Sequence, residues 1–454
     1  MESHRKKNFL PPPLFPVAGF AAVIFVGSLV LRALPMPSGV HIPLIDAVFM
    51  ATSATCVTGL SLYDIGSQFS PWAQGALLLM IQVGGLGIML LSTVFLMALG
   101  QRVSFQSRFL IQDTYTDGPH AHLRTFVAQV MLLTMVIEGA GAALLFGTFA
   151  HRFPLGQALF LAVFHSVSAF CNAGFSLLPD SLVSYQDSPM VILTMGGLIV
   201  LGGIGFLVLH ESYRAFRGQR SWRRLSPHSK LAVTSTGFLI FSGTLFFLAS
   251  EWQTTLAALP LSSKILASLF QSITTRTAGF NSLDFSQMTN LTLLGTLLLM
   301  FIGACPGSTG GGVKTTTLAV LVALSRARLR GSPCVHAFRR TISDETQRRA
   351  FSVFVLSAIV VVLGTAFLVA LPSNNVHPVA SRDMFLELLF EATSAFGTVG
   401  LSLGATAHLS FWGKVTVIAL MFIGRLGPLV LAMAIQPAKG VSRYEYAVEP
   451  VMIG

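Results

Sequence analysis

Long apolar runs alternate with short ones in the order long, short, long, and this order repeats four times along the chain. The long runs lie near residues 14–34, 74–99, 126–150, 189–210, 231–250, 351–371 and 415–437. An eighth, near 291–324, is interrupted by Cys305-Pro306-Gly307-Ser308-Thr309-Gly310-Gly311-Gly312. The short runs lie near 43–55, 156–170, 261–275 and 383–396. A membrane-crossing helix needs about 20 apolar residues, whereas a run of about 10–14 suits a re-entrant or buried segment. The alternation therefore predicts an all-α polytopic membrane protein with eight spans and four re-entrant helices. Its repeats are residues 1–100, 101–217, 218–330 and 331–437, followed by a tail over 438–454. Only 10% of the residues are charged and 53% are hydrophobic, against about 25% charged in soluble proteins.

The net charge of +11 does not point to nucleic acid, because the basic residues sit in short loops between apolar runs. Twenty-one Lys and Arg fall at the termini and near 100–125, 211–230 and 325–350, against six on the opposite face. The positive-inside rule then puts both termini in the cytoplasm. The start of the chain (Arg5, Lys6, Lys7, then an apolar run) resembles a signal peptide, but no small-residue cleavage pattern follows, so a retained first span is expected. Cys56, Cys171, Cys305 and Cys334 show no CxxC spacing, which leaves no transition-metal site and reads as four small buried residues.

Each short run ends in a small polar loop closed by a glycine: Cys56-Val57-Thr58-Gly59, Cys171-Asn172-Ala173-Gly174, Arg276-Thr277-Ala278-Gly279 and Gly397-Thr398-Val399-Gly400. Phe49, Phe164 and Phe390 stand ten residues before their glycine and Phe270 nine before, so the third repeat is one residue shorter. A dehydrated cation crossing lipid needs oxygen ligands, and backbone carbonyls supply them without trapping the ion. Turning carbonyls toward one axis demands backbone angles that glycine tolerates. Four such loops, each between two spans, predict membrane–pore helix–membrane units around a central pore with a ring of oxygens. Asp64, Asp180 and Asp284 follow three of the glycines and read either as vestibule charge or as turn residues.

These loops, together with Gly303 to Thr317 and Phe422-Ile423-Gly424-Arg425-Leu426-Gly427-Pro428, resemble the Trk/Ktr/HKT superfamily of potassium transporters over nearly the whole chain. With eight expected spans, it is most similar to the membrane subunits of bacterial Ktr systems. The resemblance implies potassium as the transported ion, bound at residues 56–59, 171–174, 276–279 and 397–400. It implies a homodimer with one pore per protomer in the bacterial plasma membrane, and a cytosolic ring of RCK-type nucleotide-binding subunits. ATP or ADP belongs to that ring, and no cofactor is expected in this chain. Gly307, Ser308, Thr309, Gly310, Gly311, Gly312 and Lys314 become an intramembrane gate loop, with Arg425 as its partner. Glycine at all four filter positions implies potassium over sodium.

The run Gly307 to Thr315 is not a Walker A loop, because Val313 separates Gly312 from Lys314. Arg425 lies within an apolar run and should face the bundle interior, since a central Arg carries an insertion penalty of roughly 2.5–3.5 kcal/mol. Glu138 is the only acid inside another long run, while His165 and Glu391 occupy neighbouring positions in the second and fourth re-entrant helices and read as packing or hydrogen-bonding groups behind the filter. No nucleophile–base–orienter set is present, so an enzyme is not expected. A sodium-coupled carrier is the competing expectation; such carriers place their sites at broken helices, and the sequence has one clearly broken span.

Overall fold

The computed structural model describes residues 14–98, 119–216, 225–371 and 382–427. The basic N-terminus, most of the segment near 100–125, the end of the last apolar run and the tail 438–454 lie outside them.

The first repeat folds as α1 (Leu14–Ala33), α2 (Leu44–Thr55) and α3 (Pro71–Ala98). The second is α4 (Pro119–Phe149), α5 (Leu155–Phe170), and then α6 (Pro189–Ile204) and α7 (Phe206–Phe216). The third is α8 (Pro227–Ser250), α9 (Leu261–Thr277), α10 (Asn290–Phe301) and α11 (Thr315–Leu329). The fourth is α12 (Asp344–Ala370), α13 (Arg382–Gly397) and α14 (Phe411–Leu426).

The local chemistry explains the boundaries. Pro43, Pro154 and Pro260 precede α2, α5 and α9 with nearly the same extended backbone. Proline lacks the N–H that a helix start leaves unused, so it stops the preceding loop without loss. Ser226, Thr289, Ser343 and Ser410 cap α8, α10, α12 and α14 by accepting a backbone N–H from the first turn.

Within each repeat the short helix packs between the two long ones. Between repeats α3 touches α5, α6 touches α9, α10 touches α13, and α14 returns to α2. The ring thus closes. At its seam Lys414 on α14 pairs with Asp46 on α2 at 2.6 Å, and the Tyr63 hydroxyl donates to the other Asp46 oxygen at 2.7 Å. Asp46 is therefore ion-paired at the seam. Phe49, Phe164, Phe270 and Phe390 are buried in the core behind the loops.

Three described helices are long and apolar enough to cross a membrane, or four when α6 and α7 count as one span. That pair departs from the sequence reading, which treated residues 189–210 as continuous. It bends by 103° at Gly205, where φ is 94°. A Cβ there would meet the Pro306 carbonyl at 2.7 Å, so both the angle and the space require glycine. Cys334 is a second correction: it is exposed, whereas Cys56, Cys171 and Cys305 are buried. It precedes the small hairpin of His336–Ala337 and Arg340–Thr341 beyond α11, where the neighbouring Val335 is the residue that is buried.

Candidate ion pathway

The four polar loops at the ends of α2, α5, α9 and α13 come together. Gly59, Gly174, Gly279 and Gly400 all have positive φ, between 71° and 94°. A Cβ on Gly59 would run into the Ala173 carbonyl and lie 3.1 Å from the Gly174 Cα. One on Gly174 would lie 2.6 Å from the Ala278 carbonyl and 3.2 Å from the Gly279 Cα. Gly279 faces Val399 and Gly400 in the same way, and Gly400 faces Thr58 and Gly59. The contacts run once round and return to their start. The carbonyls of Thr58, Ala173, Ala278 and Val399 are thereby gathered around one axis by four backbones too close to admit a side chain.

Each loop is tied to its own helix. Backbone N–H groups of Thr58, Ala173, Ala278 and Val399 donate to the carbonyls of Ser53, Ser168, Thr274 and Ser394 at 2.7–2.9 Å. The side chains of the same four residues bond the loop again: Ser53 and Ser394 accept from Gly59 and Gly400 N–H, while Ser168 and Thr274 donate to the Phe175 and Phe280 carbonyls. Sequence reading did not single out these anchors, although they stand at a fixed offset before each glycine, six residues in three repeats and five in the third.

The shorter third repeat also has a structural counterpart. In the others the residue two before the glycine, Val57, Asn172 or Thr398, is itself left-handed, with φ of 50–60°. In the third, α9 runs on to Thr277 and Ala278 keeps φ at −107°, so that left-handed residue is missing. A left-handed non-glycine residue is strained by about 1–3 kcal/mol; three of the four loops hold one. The residue missing before Gly279 is restored after it, as Asn281, whose N–H donates to Ser181 Oγ at 3.0 Å and whose carbonyl accepts from Leu182 N–H at 2.8 Å.

Among the expected filter residues, Cys56 caps α2 from a buried position, and the Cys171 thiol turns away from the ring toward Gln82 Oε1 at 3.6 Å and Glu138. Arg276 is buried, with Nε and Nη1 lacking a partner among the described residues. Gly397 closes α13, where the Gly312 Cα-side approaches it.

Residues 302–314 lie directly behind three of the loops. A short parallel bridge joins Ile302 to Val313. Thr309 accepts from Asn172 Nδ2 at 2.8 Å and donates to the Phe170 carbonyl at 3.1 Å. Asn172 Oδ1 accepts in turn from Thr277 at 3.1 Å. The Gly311 N–H donates to Thr398 Oγ1 at 3.0 Å. Ser308 bonds the Cys305 carbonyl, and Lys314 folds back onto the Gly310 carbonyl at 2.7 Å. Gly307 accepts from the Phe206 N–H just past the bend at Gly205. Gly310 packs on Thr277, and Gly312 on Gly303.

Arg425 is buried, and its two terminal nitrogens donate to the carbonyls of Thr309 and Gly84. No ion pair joins it to Glu138 among the described residues; Glu138 accepts from Gln82 at 3.1 Å. His165 stands between the Leu161 carbonyl at 2.8 Å and Ser176 Oγ at 3.0 Å, and Glu391 accepts from Ser402 at 2.8 Å and from Thr406.

The loop acids bond their own turns, Asp64 and Asp284 as helix caps. Asp64 accepts from Gly66 N–H, Asp284 from Ser286 N–H and Asp180 from Ser184 N–H. The hydroxyl and N–H of Ser286, with Gln287, hold the Asp284 carboxyl below its usual range. Glu251, just beyond α8, collects Thr254, Thr255, Thr289 and Thr292. Burial pushes its carboxyl up, but these hydrogen bonds outweigh burial and bring it from 4.5 to about 2.

Residues 20–443 match the TrkH family, described as a cation transport protein. The Ktr system potassium uptake protein B of Bacillus subtilis is 39% identical over 94% of this chain and 93% of its own length. The potassium/sodium uptake protein NtpJ of Enterococcus hirae is 33% identical over 100% of this chain and 99% of its own. The crystal structure of the potassium transporter TrkH from Vibrio parahaemolyticus shares the fold, with a TM-score of 0.76 at 19% identity over 96% of this chain and 87% of that one.

Proposed function

The chain belongs to the TrkH family of cation transport proteins, and from that premise we propose that it is the potassium-translocating subunit of a bacterial uptake system. It is a transporter, not an enzyme. The observation that carries this reading is the closed ring of Gly59, Gly174, Gly279 and Gly400, each against the carbonyl that precedes the next glycine. Such a ring replaces the hydration shell of a cation with backbone oxygens and adds no fixed charge to trap it. The filter comprises residues 56–59, 171–174, 276–279 and 397–400.

In this reading residues 307–312 and Lys314 obstruct the path beneath the filter, and Arg425 holds the obstruction through the Thr309 carbonyl. The guanidinium also repels a passing cation, by roughly 1 kcal/mol at 4 Å in water and more where the dielectric falls. The chain crosses a bacterial plasma membrane eight times with both termini cytoplasmic, forms a homodimer with one pore per protomer, and is opened by a cytosolic RCK-type ring that carries the ATP or ADP. The Ktr name of the Bacillus subtilis relative, a system with more than one part, supports such a partner.

A sodium-coupled carrier is the second reading. The bend of 103° at Gly205 adds a second broken helix beside the interruption at 302–314, and broken helices mark carrier sites. Flux into liposomes separates the two. The filter reading expects rubidium and potassium uptake driven by membrane potential alone, with sodium and a neutral solute excluded. Uptake that requires a sodium gradient assigns the chain to the carriers.

A further inference from the structure

One position behind the ring is chemically different in every repeat, yet makes the same contact each time. It is the residue after the buried phenylalanine: Met50, His165, Gln271 and Glu391. Each meets a serine eleven residues later. Ser61 Oγ lies 3.6 Å from Met50 Sδ, Ser176 Oγ 3.0 Å from His165 Nε2, Ser282 Oγ 3.2 Å from the Gln271 amide, and Ser402 Oγ 2.8 Å from Glu391 Oε2. The serines sit two residues beyond the ring glycine in three repeats and three beyond it in the third. The residue lost before Gly279 and the one gained after it cancel, so the helix-to-serine distance along the chain is kept.

The serines fix the outward course of the loops. Ser61, Ser176 and Ser402 accept the N–H two residues on, from Tyr63, Leu178 and Gly404. In the third repeat the Gln271 oxygen, turned toward the loop, takes the N–H groups of Ser282 and Leu283 directly. Every loop is thus gripped on both sides of its glycine: by the Ser53, Ser168, Thr274 and Ser394 anchors before it, and by this strut after it.

We propose that Met50, His165, Gln271 and Glu391 are positioning residues that set the stiffness of the four filter loops unequally, and that this gradient determines how strictly the ring rejects sodium. In a filter that selects by cavity size, a smaller ion is rejected to the extent that the carbonyls resist closing around it, and the strut strength then enters the selectivity directly. A thioether is a weak acceptor, an imidazole nitrogen or amide is an ordinary one, and a carboxyl is the strongest. Glu391 also binds Thr406, so its loop is held at two points. Met50 lies at the other extreme: the Ser61 hydroxyl is 2.6 Å from the Tyr63 carbonyl, the better acceptor. Loop four is the stiff wall and loop one the compliant wall, and Gly279 and Gly59, either side of Gly400, feel that difference directly.

The inference rests on the ring being the filter. The test is potassium-to-sodium flux ratio in liposomes, measured on the full chain for alanine at each position, for Glu391→Gln, and for Met50→Gln. Glu391→Ala should lower the ratio about tenfold, His165→Ala and Gln271→Ala less, and Met50→Ala by less than about twofold, following the strengths of the bonds removed. Glu391→Gln copies the pair found in repeat three and should restore most of the ratio. Met50→Gln should raise it, which no loss of folding can mimic. Ser402→Ala should lower the ratio by less than Glu391→Ala, because Glu391 keeps Thr406, and adding it to Glu391→Ala should bring little further loss. Glu391→Gln as poor as Glu391→Ala would overturn the proposal, making Glu391 an electrostatic attractor instead. So would Ser402→Ala leaving the ratio intact. If Gly59→Ser also leaves the ratio unchanged, the filter reading itself fails; if only the strut variants are silent, this inference alone does.

Discussion

The two sides of the interrupted span, α10 with the ring above and residues 302–314 with α11 below, are held by different means. Above, each loop is fixed by its own repeat. Its anchoring serine or threonine lies a few residues away, its strut comes from the same helix, and the neighbouring backbone leaves no room. Below, the loop has bonds within its own repeat, such as Lys314 to Gly310, but it is also tied across to other repeats. Thr309 is held by Asn172 and Arg425, Gly311 by Thr398, and Gly307 by the backbone at the Gly205 bend. Local bonds hold each ring loop to its own helix. Bonds between repeats break together when one repeat moves, and that suits a part that has to open.

This difference is most sharply tested at Gly59. A side chain there meets the Ala173 backbone and a φ of 94° at once. Strain and overpacking together amount to about 3 kcal/mol, or about a hundredfold in preference. Gly59→Ser should therefore abolish most discrimination between potassium and sodium in liposome flux while the gate still closes. An unchanged ratio would remove residues 57–59 from the filter.

Arg425→Ala should act below and not above. It removes two charge-assisted bonds, to Thr309 and Gly84, and basal rubidium flux without any partner should rise about tenfold. The ion ratio should stay put. Thermal melting of the purified variant checks that it folds; a well-folded variant with low basal flux would place the barrier elsewhere. Thr309→Ala takes a smaller part of the same latch, leaving Asn172 without one partner, and about threefold is expected.

The helices were legible because apolar length and periodicity are local properties. The stretch near 43–55 folds as Leu44–Thr55, and that near 156–170 as Leu155–Phe170. The ring glycines were legible because they repeat. The bend at Gly205 was not, since a glycine inside an apolar run is most often a packing residue, and its angle depends on the distant Pro306 carbonyl. A hint existed in the fourth repeat, where Gly427 ends α14 with φ of 85° and a proline follows. The struts were hidden for another reason. Methionine, histidine, glutamine and glutamate share no chemistry that a repeat search would notice; only the common serine unites them. Asp46 and Glu251 depend on partners distant in sequence, Lys414 for the first and Thr289 and Thr292 for the second, which no local pattern announces.

Glu251 offers the smallest effect and a control on the comparison. It joins the end of α8 to Thr289 and Thr292 at the start of α10, so it secures the outer half of the broken span and touches nothing in the gate loop. Its carboxyl titrates at about 2 when folded against 4.5 ordinarily. A depressed carboxyl gives stability that is fully present above the unfolded value and is lost as pH falls toward the folded one. The melting temperature should then be insensitive to Glu251 titration near neutral pH and decline between pH 4.5 and about 2. Glu251→Gln should flatten that part of the decline and lower stability modestly at pH 7, with basal flux and ion ratio unchanged. A rise in basal flux in Glu251→Gln would mean that the outer half-helix helps to hold the gate, and that the two sides of the break are not independent.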